Sequence, residues 1–331
     1  MFLLRSTPDQ SDDHAHAVAP SSADVSVIIC TRDRPQMLAR ALATVLAAVP
    51  AETEVLVVDS ASRTSDTLRV ANEAGVRYVR SNVPGLSIAR NIGLENATRS
   101  IVVFSDDDCA LDPVFLAPLI APFSDRRVAA TTGLLRDEHD QRGASDEPQV
   151  TLVRTEDGLD AGHGALMAFR RETITGLGGF DPLLGAGRHF GGAEDLDAMC
   201  RLLHAGSRIT RVPASFVRHV NTRDDLDYVA LNRSYGLGLG AMCAKWLRDA
   251  PVAGLALTAR VLRRSAVRYL RGIRSARSRH GQSSLMRGMW RGLWSARRIP
   301  VHGLIFADQH PPAVVGVQEE AVQIELVEKA S

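Results

Sequence analysis

This chain has little that points to disulfide or zinc chemistry. Its four cysteines are Cys30, Cys109, Cys200 and Cys243. No two of them form a C-x-x-C pair, so a structural zinc site and a disulfide framework are both disfavoured, and a reducing cytosol is expected. No stretch reaches 18 uncharged apolar residues, so no membrane-spanning helix is expected. The N-terminus lacks the pattern of a secretory signal: only Phe2–Leu4 is apolar before a polar, mixed-charge run. Residues 1–23 read as a disordered leader. The first apolar run is followed by "TRDRP" rather than G-x-G-x-x-G, so a dinucleotide-binding turn is missing where it should be. The segment Gly236–Ala241, "GLGLGA", matches that motif loosely but follows a polar, helical stretch instead of a buried strand. There is also no G-x-x-x-x-G-K-[ST] phosphate loop.

What is present begins with alternation. "VSVIIC" (Val25–Cys30), "EVLVVD" (Glu54–Asp59), "VRYVR" and "IVVFSD" are apolar, β-branched runs with the look of buried parallel strands. Helical patterns separate them, as in "RPQMLARALATVLAA" with Pro35 near its start. "VAATTGLL" reads as a fifth strand. Residues 136–160 read as a mobile polar loop, and "RITRVPASFVRHV" as a strand pair ending at His219. The tail after Pro300 ends in "AVQIELVE", read as one short strand or disorder. This pattern makes the first part an α/β fold with a mostly parallel central sheet. In such a sheet, ligands bind at the carboxyl ends of the strands. The polar residues there are Thr31, Arg32 and Asp33 after the first strand, Asp59 after the second, and Asp106–Asp108 after the fourth.

Two acidic clusters stand out. Asp106 and Asp108 are two apart, so in an extended segment their side chains point to one side. Two carboxylates there would suit Mg²⁺ or Mn²⁺, with water and substrate phosphates completing the shell. A solvated acidic turn is the alternative. The second cluster, "GGAEDLDAMCRL", opens a helix with Glu194, Asp195 and Asp197, where the dipole favours acidic residues. The preceding glycines exceed what a helix start requires and suggest a backbone passing close to a ligand.

The stretches "VSVIICTRDRP", "EVLVVDSAS", "GLSIARNIGLENA", "VVFSDDDC", "GALMAFRRE", "GGFDP" and "GAEDLDAMCRL" occur in this order over about residues 24–220. In this the chain resembles the inverting family 2 glycosyltransferases. The resemblance implies a GT-A type, Rossmann-like α/β/α sandwich. It also implies a nucleoside-diphosphate-sugar donor, Mn²⁺ or Mg²⁺, and an acceptor hydroxyl on a glycan, lipid-linked or small-molecule acceptor. Carried over position by position, Thr31, Arg32 and Asp33 would border the nucleoside, and Asp59 would meet the base or ribose. Arg90 and Asn91 would flank the donor. Asp106 and Asp108 would form the D-x-D motif, with Asp106 also near the ribose and Asp107 a solvated or capping middle position. His219 would complete the metal site, with His163 and His189 as weaker candidates. Asp195 would be the general base that activates the acceptor hydroxyl, and Glu194 would orient it. A sugar-nucleotide pyrophosphorylase and a non-catalytic nucleotide-sugar or membrane-binding module are the competing readings.

The net charge of +1 conceals a basic C-terminal third. From Lys245 to Arg298 there are fourteen Lys and Arg against one acidic residue, Asp249. Leu255, Leu262, Ala266, Tyr269, Leu270 and Ile273 share one helical face, and Arg260, Arg264, Arg268, Arg271 and Arg274 share another. Met286, Met289, Trp290, Leu293 and Trp294 continue the pattern with interleaved arginines. The domain reading is a leader at 1–23, a glycosyltransferase domain at 24–223, a basic amphipathic helical extension at 224–299 and a tail at 300–331. The extension is expected to contact an anionic membrane surface, placing a cytoplasmic protein peripherally on the inner face of the cell membrane. The alternative is that its apolar face packs on the domain and its arginines are solvated. No nucleic-acid partner is expected, since no recognition module is present.

Overall fold

The computed structural model describes residues 19–140, 142–219 and 225–318. The strands are β1 (Val25–Thr31), β2 (Glu54–Ser60), β3 (Arg77–Ser81), β4 (Ile101–Asp106), β5 (Cys109–Leu111), β6 (Val128–Asp137), β7 (Val150–Leu152), β8 (Leu166–Arg170), β9 (Arg208–His219), β10 (Val301–His302), β11 (Ile305–Phe306) and β12 (Gly316–Gln318). The helices are α1 (Pro35–Ala48), α2 (Asp66–Glu73), α3 (Leu86–Asn96), α4 (Leu116–Ile120), α5 (Arg171–Gly176), α6 (Glu194–His204), α7 (Asp225–Asp249), α8 (Pro251–Arg271) and α9 (Ala276–Ala296).

The main sheet runs β12-β3-β2-β1-β4-β8-β6-β9-β5, with β7 added beside β9. Strands β3, β2, β1 and β4 are parallel, as are β6 and β9. Antiparallel pairings bring in β8, β5, β7 and β12. The apolar runs are continuous because both faces of the sheet are covered. On β1, Val25, Val27 and Ile29 face a core that holds Leu38, Leu42, Phe115 and Phe123. The intervening Ile28 joins Ile88, Ile92, Phe104, Phe169, Phe180 and Leu202 on the other side. Parallel pairing puts the ends of β1, β2 and β4 at one edge, with Thr31 beside Asp59 and Cys30 beside Asp106.

Two expectations are corrected. Residues 136–160 are not simply a loop: β6 runs on to Asp137, β7 joins the sheet, and a 3-10 turn at Thr155–Asp160 docks on α8. The segment Arg208–His219 is one strand, not a pair. It runs parallel to β6 along its length, with register shifts between Val128 and Ala130 and between Thr132 and Leu134. The "AVQIELVE" tail lies outside the described residues.

The C-terminal helices join the α/β core through a buried polar knot. Lys245 of α7 is fully buried and lies 2.6 Å from Asp181 Oδ2 and 2.9 Å from Asp197 Oδ1. Trp246 donates its indole N–H to Asp197 at 3.0 Å, and Arg201 pairs with the other Asp197 oxygen at 2.9 Å. Asp181 also accepts the backbone N–H of Phe306 at 2.9 Å. Helix α7 is thereby tied to the "GGFDP" turn, to α6 and to β11. Burial opposes the Asp197 carboxylate, yet Lys245 and Arg201 hold its pKa below the ordinary value.

The "GLGLGA" segment has a packing role. A Cβ at Gly236 would stand 2.0 Å from the Leu285 carbonyl oxygen, and one at Gly240 would stand 2.0 Å from that of Met289. From the other helix, a Cβ at Gly292 would meet the Leu237 carbonyl at 2.0 Å. Helices α7 and α9 therefore run side by side, backbone on backbone, and only glycine fits between them. Among the described residues, no helix is long and apolar enough to cross a membrane.

Two substitutions test this packing by urea unfolding. Lys245→Ala leaves two buried carboxylates short of a cation and is expected to cost about 3–5 kcal/mol. Gly240→Val forces α7 and α9 apart and is expected to cost about 1–3 kcal/mol or more.

Candidate active site

The two acidic clusters meet through Arg90. This residue lies on α3, which begins after Gly85, a left-handed position with φ 147°. Arg90 is 2% exposed. Its Nη1 lies 2.9 Å from Glu194 Oε1 and its Nη2 lies 3.5 Å from Asp106 Oδ1. The guanidinium packs over Phe180 at 5.3 Å and Phe104 at 6.0 Å, a face that favours a cation. Burial works against its charge, but Glu194, Asp106 and Asp195 together outweigh it and hold its pKa above the ordinary arginine value.

Gly164 completes the junction. Its N–H donates to Asp195 Oδ2 at 2.9 Å, and its carbonyl accepts from Arg90 Nη2 at 3.4 Å. A Cβ at Gly164 would stand 2.8 Å from Arg90 Nη2 and 3.2 Å from Asp195 Oδ2, so the arginine and the carboxylate crowd one glycine. Helix α6 enters from Ala193, which has the left-handed φ of 67°. Desolvation, with the repulsion of Asp195 next, raises Glu194 to a pKa of about 7, and Arg90 limits the rise. Asp106 is also raised, first by desolvation and then by Asp108 and Asp195, against the pull of Arg90. The thiol of the half-buried Cys30, beside Asp106 in the sheet, is pushed up to about 12 by desolvation.

The D-x-D segment departs from its expected geometry. β4 ends at Asp106, and Asp107–Asp108 form a turn into β5, so the same-side rule for an extended strand does not apply. Asp106 turns toward Arg90, while Asp108 turns toward Arg34 and His219. Asp108 Oδ2 is 3.3 Å from Arg34 Nη1 and 3.4 Å from His219 Nε2. β5 pairs with β9 so that Cys109 stands opposite His219, and this pairing is what delivers the imidazole. Asp106, Asp108 and His219 were expected to form one ligand set. The structure joins Asp108 to His219 and places Asp106 on the arginine. Among the described residues, no three of His, Cys, Asp and Glu converge as a ready-made metal cage. The donors still fit a divalent ion of the Mg²⁺ or Mn²⁺ type. Such ions need only one or two carboxylates from the protein, and the Asp108 oxygen now paired with Arg34 and beside the His219 imidazole would serve once Arg34 gives way. His163, next to Gly164, and His189 are both exposed, and His189 meets the Phe190 ring edge-to-face at 4.5 Å.

Asp107 is neither solvated nor a helix cap, contrary to expectation. It is buried, accepts from Thr31 Oγ1 at 2.6 Å and pairs with Arg34 Nη1 at 3.1 Å. Desolvation raises it to a pKa of about 6 despite these partners. Arg34 was missed by sequence reasoning. The signal was its place at the start of α1, beside the carboxyl edge of the sheet.

At the end of β1, Arg32 is exposed and Asp33 sits at a left-handed φ of 55°. Asp33 accepts the Arg63 backbone N–H at 2.7 Å and its Nε at 3.0 Å, and the backbone bond first of all keeps its pKa low. Asp59 is corrected: it does not face an open site. Its carboxylate is fully buried and accepts from Tyr78 Oη at 2.8 Å, the Ser62 N–H at 2.8 Å and Arg80 Nη1 at 3.4 Å. It orders the loop after β2. The Asn91 amide exchanges both hydrogen bonds with the Phe180 backbone, at 2.8 and 2.7 Å, pinning the "GGFDP" turn to α3.

Residues 26–169 match the model of "Glycosyl transferase family 2". Residues 26–169 form a glycosyltransferase family 2 domain. The match takes in Thr31, Arg90 and Asp106–Asp108 but ends before Asp195 and His219. The chain is 27% identical over 236 residues to the pre-mycofactocin glycosyltransferase of Mycobacterium tuberculosis, covering 66% of this chain and 47% of that protein. It is 28% identical over 227 residues to polypeptide N-acetylgalactosaminyltransferase 8 of Drosophila melanogaster, covering 59% and 38% respectively. The chain thus spans less than half the length of these curated relatives. The fold resembles that of the mannosyltransferase PcManGT from Pyrobaculum calidifontis, solved in complex with GDP-Man and Mn2+. That likeness has a TM-score of 0.57 at 22% identity and covers 82% of this chain and 87% of the other. The family 2 domain is therefore set in a GT-A type fold whose sheet is extended by antiparallel strands.

One substitution tests the middle aspartate of the family 2 domain. Asp107→Ala removes the acceptor for Thr31 and Arg34, and a loss of about 1–3 kcal/mol is expected in thermal unfolding. Asp107→Asn, which still accepts from Thr31, is expected to lose less.

Proposed function

We propose that this protein is a metal-dependent, inverting glycosyltransferase that moves a hexose-type sugar from a nucleoside-diphosphate donor to an acceptor hydroxyl. One observation carries the reading: a single buried arginine, Arg90, bridges the D-x-D carboxylate Asp106 and the α6 carboxylate Glu194. Donor-side and acceptor-side acids are thereby held at one place, as a direct displacement requires. The ligands named with the mannosyltransferase structure, GDP-Man and Mn2+, are of the two classes this reading needs.

In this reading Asp108 and His219 hold a Mn²⁺ or Mg²⁺ ion, with Asp106 beside them. When bound, the ion offsets the negative charge that develops on the departing nucleoside diphosphate. The protein supplies the rest. Thr31, Arg32 and Asp33 line the carboxyl end of β1, where the nucleoside would lie. Arg90 keeps Asp106 and Glu194 in place and adds fixed positive charge close to the diphosphate.

Asp195 takes the proton of the acceptor hydroxyl as that oxygen attacks the anomeric carbon. The Gly164 N–H bond to Oδ2 fixes its orientation. The hydroxyl attacks from the face opposite the leaving group, so one displacement inverts the anomeric configuration. Glu194 is held by Arg90 at 2.9 Å, which makes it a positioning residue in this reading.

Release of nucleoside diphosphate from a panel of nucleotide sugars, with and without Mn²⁺, tests the reading. Asp108→Asn is expected to lose metal-dependent donor binding. Asp195→Asn is expected to bind donor normally but to transfer at least about 100-fold more slowly. Full transfer by Asp195→Asn would remove it as the base, and a wild-type protein that binds no nucleotide sugar would refute the enzyme reading. Gly164→Ala is expected to lower kcat and also to weaken donor binding, because its Cβ displaces both Asp195 and Arg90.

A further inference from the structure

Helix α8 turns only part of its arginine side inward: Arg260 pairs with Asp160 and lies 3.2 Å from Asp157, and Arg264 lies 3.0 Å from Asp160, while Arg263, Arg268 and Arg271 are exposed. Leu257 and Val261 bury beside them. The side that carries Val252, Leu255, Leu262, Leu270 and Ile273 turns outward. Val252 is 85% exposed, Leu255 64% and Leu270 65%. The reading in which this face packs on the domain is therefore corrected.

Helix α9 repeats the arrangement. Gly288 and Gly292 face α7, which leaves Trp290 and Trp294 68% and 66% exposed. Arg297 stacks on Trp294 at 3.7 Å. Beside Trp290, a cleft of 820 Å³ between α7 and α9 is lined by Val229, Ala230, Arg233, Ser284, Arg287 and Arg291. From residue 250 to residue 298 there are twelve arginines and no Asp or Glu.

We propose that α8 and α9 seat this protein on an anionic lipid bilayer. The exposed leucines and tryptophans enter the interfacial layer, and the surrounding arginines, including those of the α7–α9 cleft, meet headgroup phosphates. Two exposed tryptophans a turn apart, bordered by arginine, have the amphipathic character that the headgroup region favours. No described helix can span a membrane, so the attachment is in the plane of the surface. A second copy of the chain is a poor occupant. A symmetric contact would bring the same arginine-rich segment against itself, with no acidic residue in it to offset the charge. Nucleic acid would meet the arginines but leave the leucine stripe in water.

The test uses the full chain and unilamellar vesicles, with flotation and tryptophan emission as readouts. Trp246 is fully buried, so a blue shift on adding vesicles reports Trp290 and Trp294. Vesicles containing phosphatidylglycerol are expected to float about tenfold more protein than pure phosphatidylcholine, and added salt is expected to reduce this. Two variants, Leu255→Ser/Leu262→Ser/Leu270→Ser and Trp290→Ser/Trp294→Ser, are each expected to lower binding about fivefold or more. Their thermal midpoints and nucleotide-sugar turnover in solution are expected to stay unchanged. Protein that stays soluble with every vesicle, or floats unchanged after either set of substitutions, would overturn the proposal. So would a concentration-dependent dimer that shields the tryptophans, or binding of RNA without binding of vesicles.

Discussion

The site depends on one buried cation. Arg90 is fixed by α3, backed by aromatic rings and shared between a carboxylate at the end of β4 and another at the start of α6. Without it, Asp106, Glu194 and Asp195 would repel one another in a poorly solvated space, where unpaired charge is costly. With it, two acidic clusters nearly ninety residues apart in the chain become neighbours. Desolvation first, and the repulsion of Asp195 next, raise the Glu194 pKa against the pull of Arg90.

A second buried cation joins the scaffold to its extension. Lys245 reaches Asp181 of the "GGFDP" turn and Asp197 of α6, the helix that also presents Asp195. The helices after residue 224 are thus part of the support for the candidate base. Glycine contacts between α7 and α9 let this helical layer stay thin, with backbone touching backbone. The same tight packing turns the tryptophans of α9 outward.

Much of the fold was legible because local pattern and burial agree in the first half of the chain. β-branched runs covered on both faces form β1 to β4, and the residues after them gather at one edge. The reading was weaker where strands are short or long-range. β5, β7 and the continuity of β9 depend on partners far away in sequence, and no local period announces them. Among the candidate residues, motifs in the sequence point to Asp106, Asp108, Glu194, Asp195, Arg90 and His219. The inward turn of Asp59, the pinning role of Asn91 and the burial of Asp107 were not foreseeable, because each depends on donors from other elements.

The residue types and their order were enough to specify the α/β class, the D-x-D segment, the acidic start of α6 and the basic, amphipathic character of the C-terminal third. These are properties of local composition and periodicity. Which carboxylate meets which cation could be settled only by assembly. Asp106 goes to Arg90 while Asp108 goes to Arg34 and His219, because β4 stops at Asp106 and the next two residues turn. The direction in which α8 faces was likewise settled by distant residues. Asp157 and Asp160 draw Arg260 and Arg264 inward beside Leu257 and Val261, and Leu255, Leu262 and Leu270 are left outside.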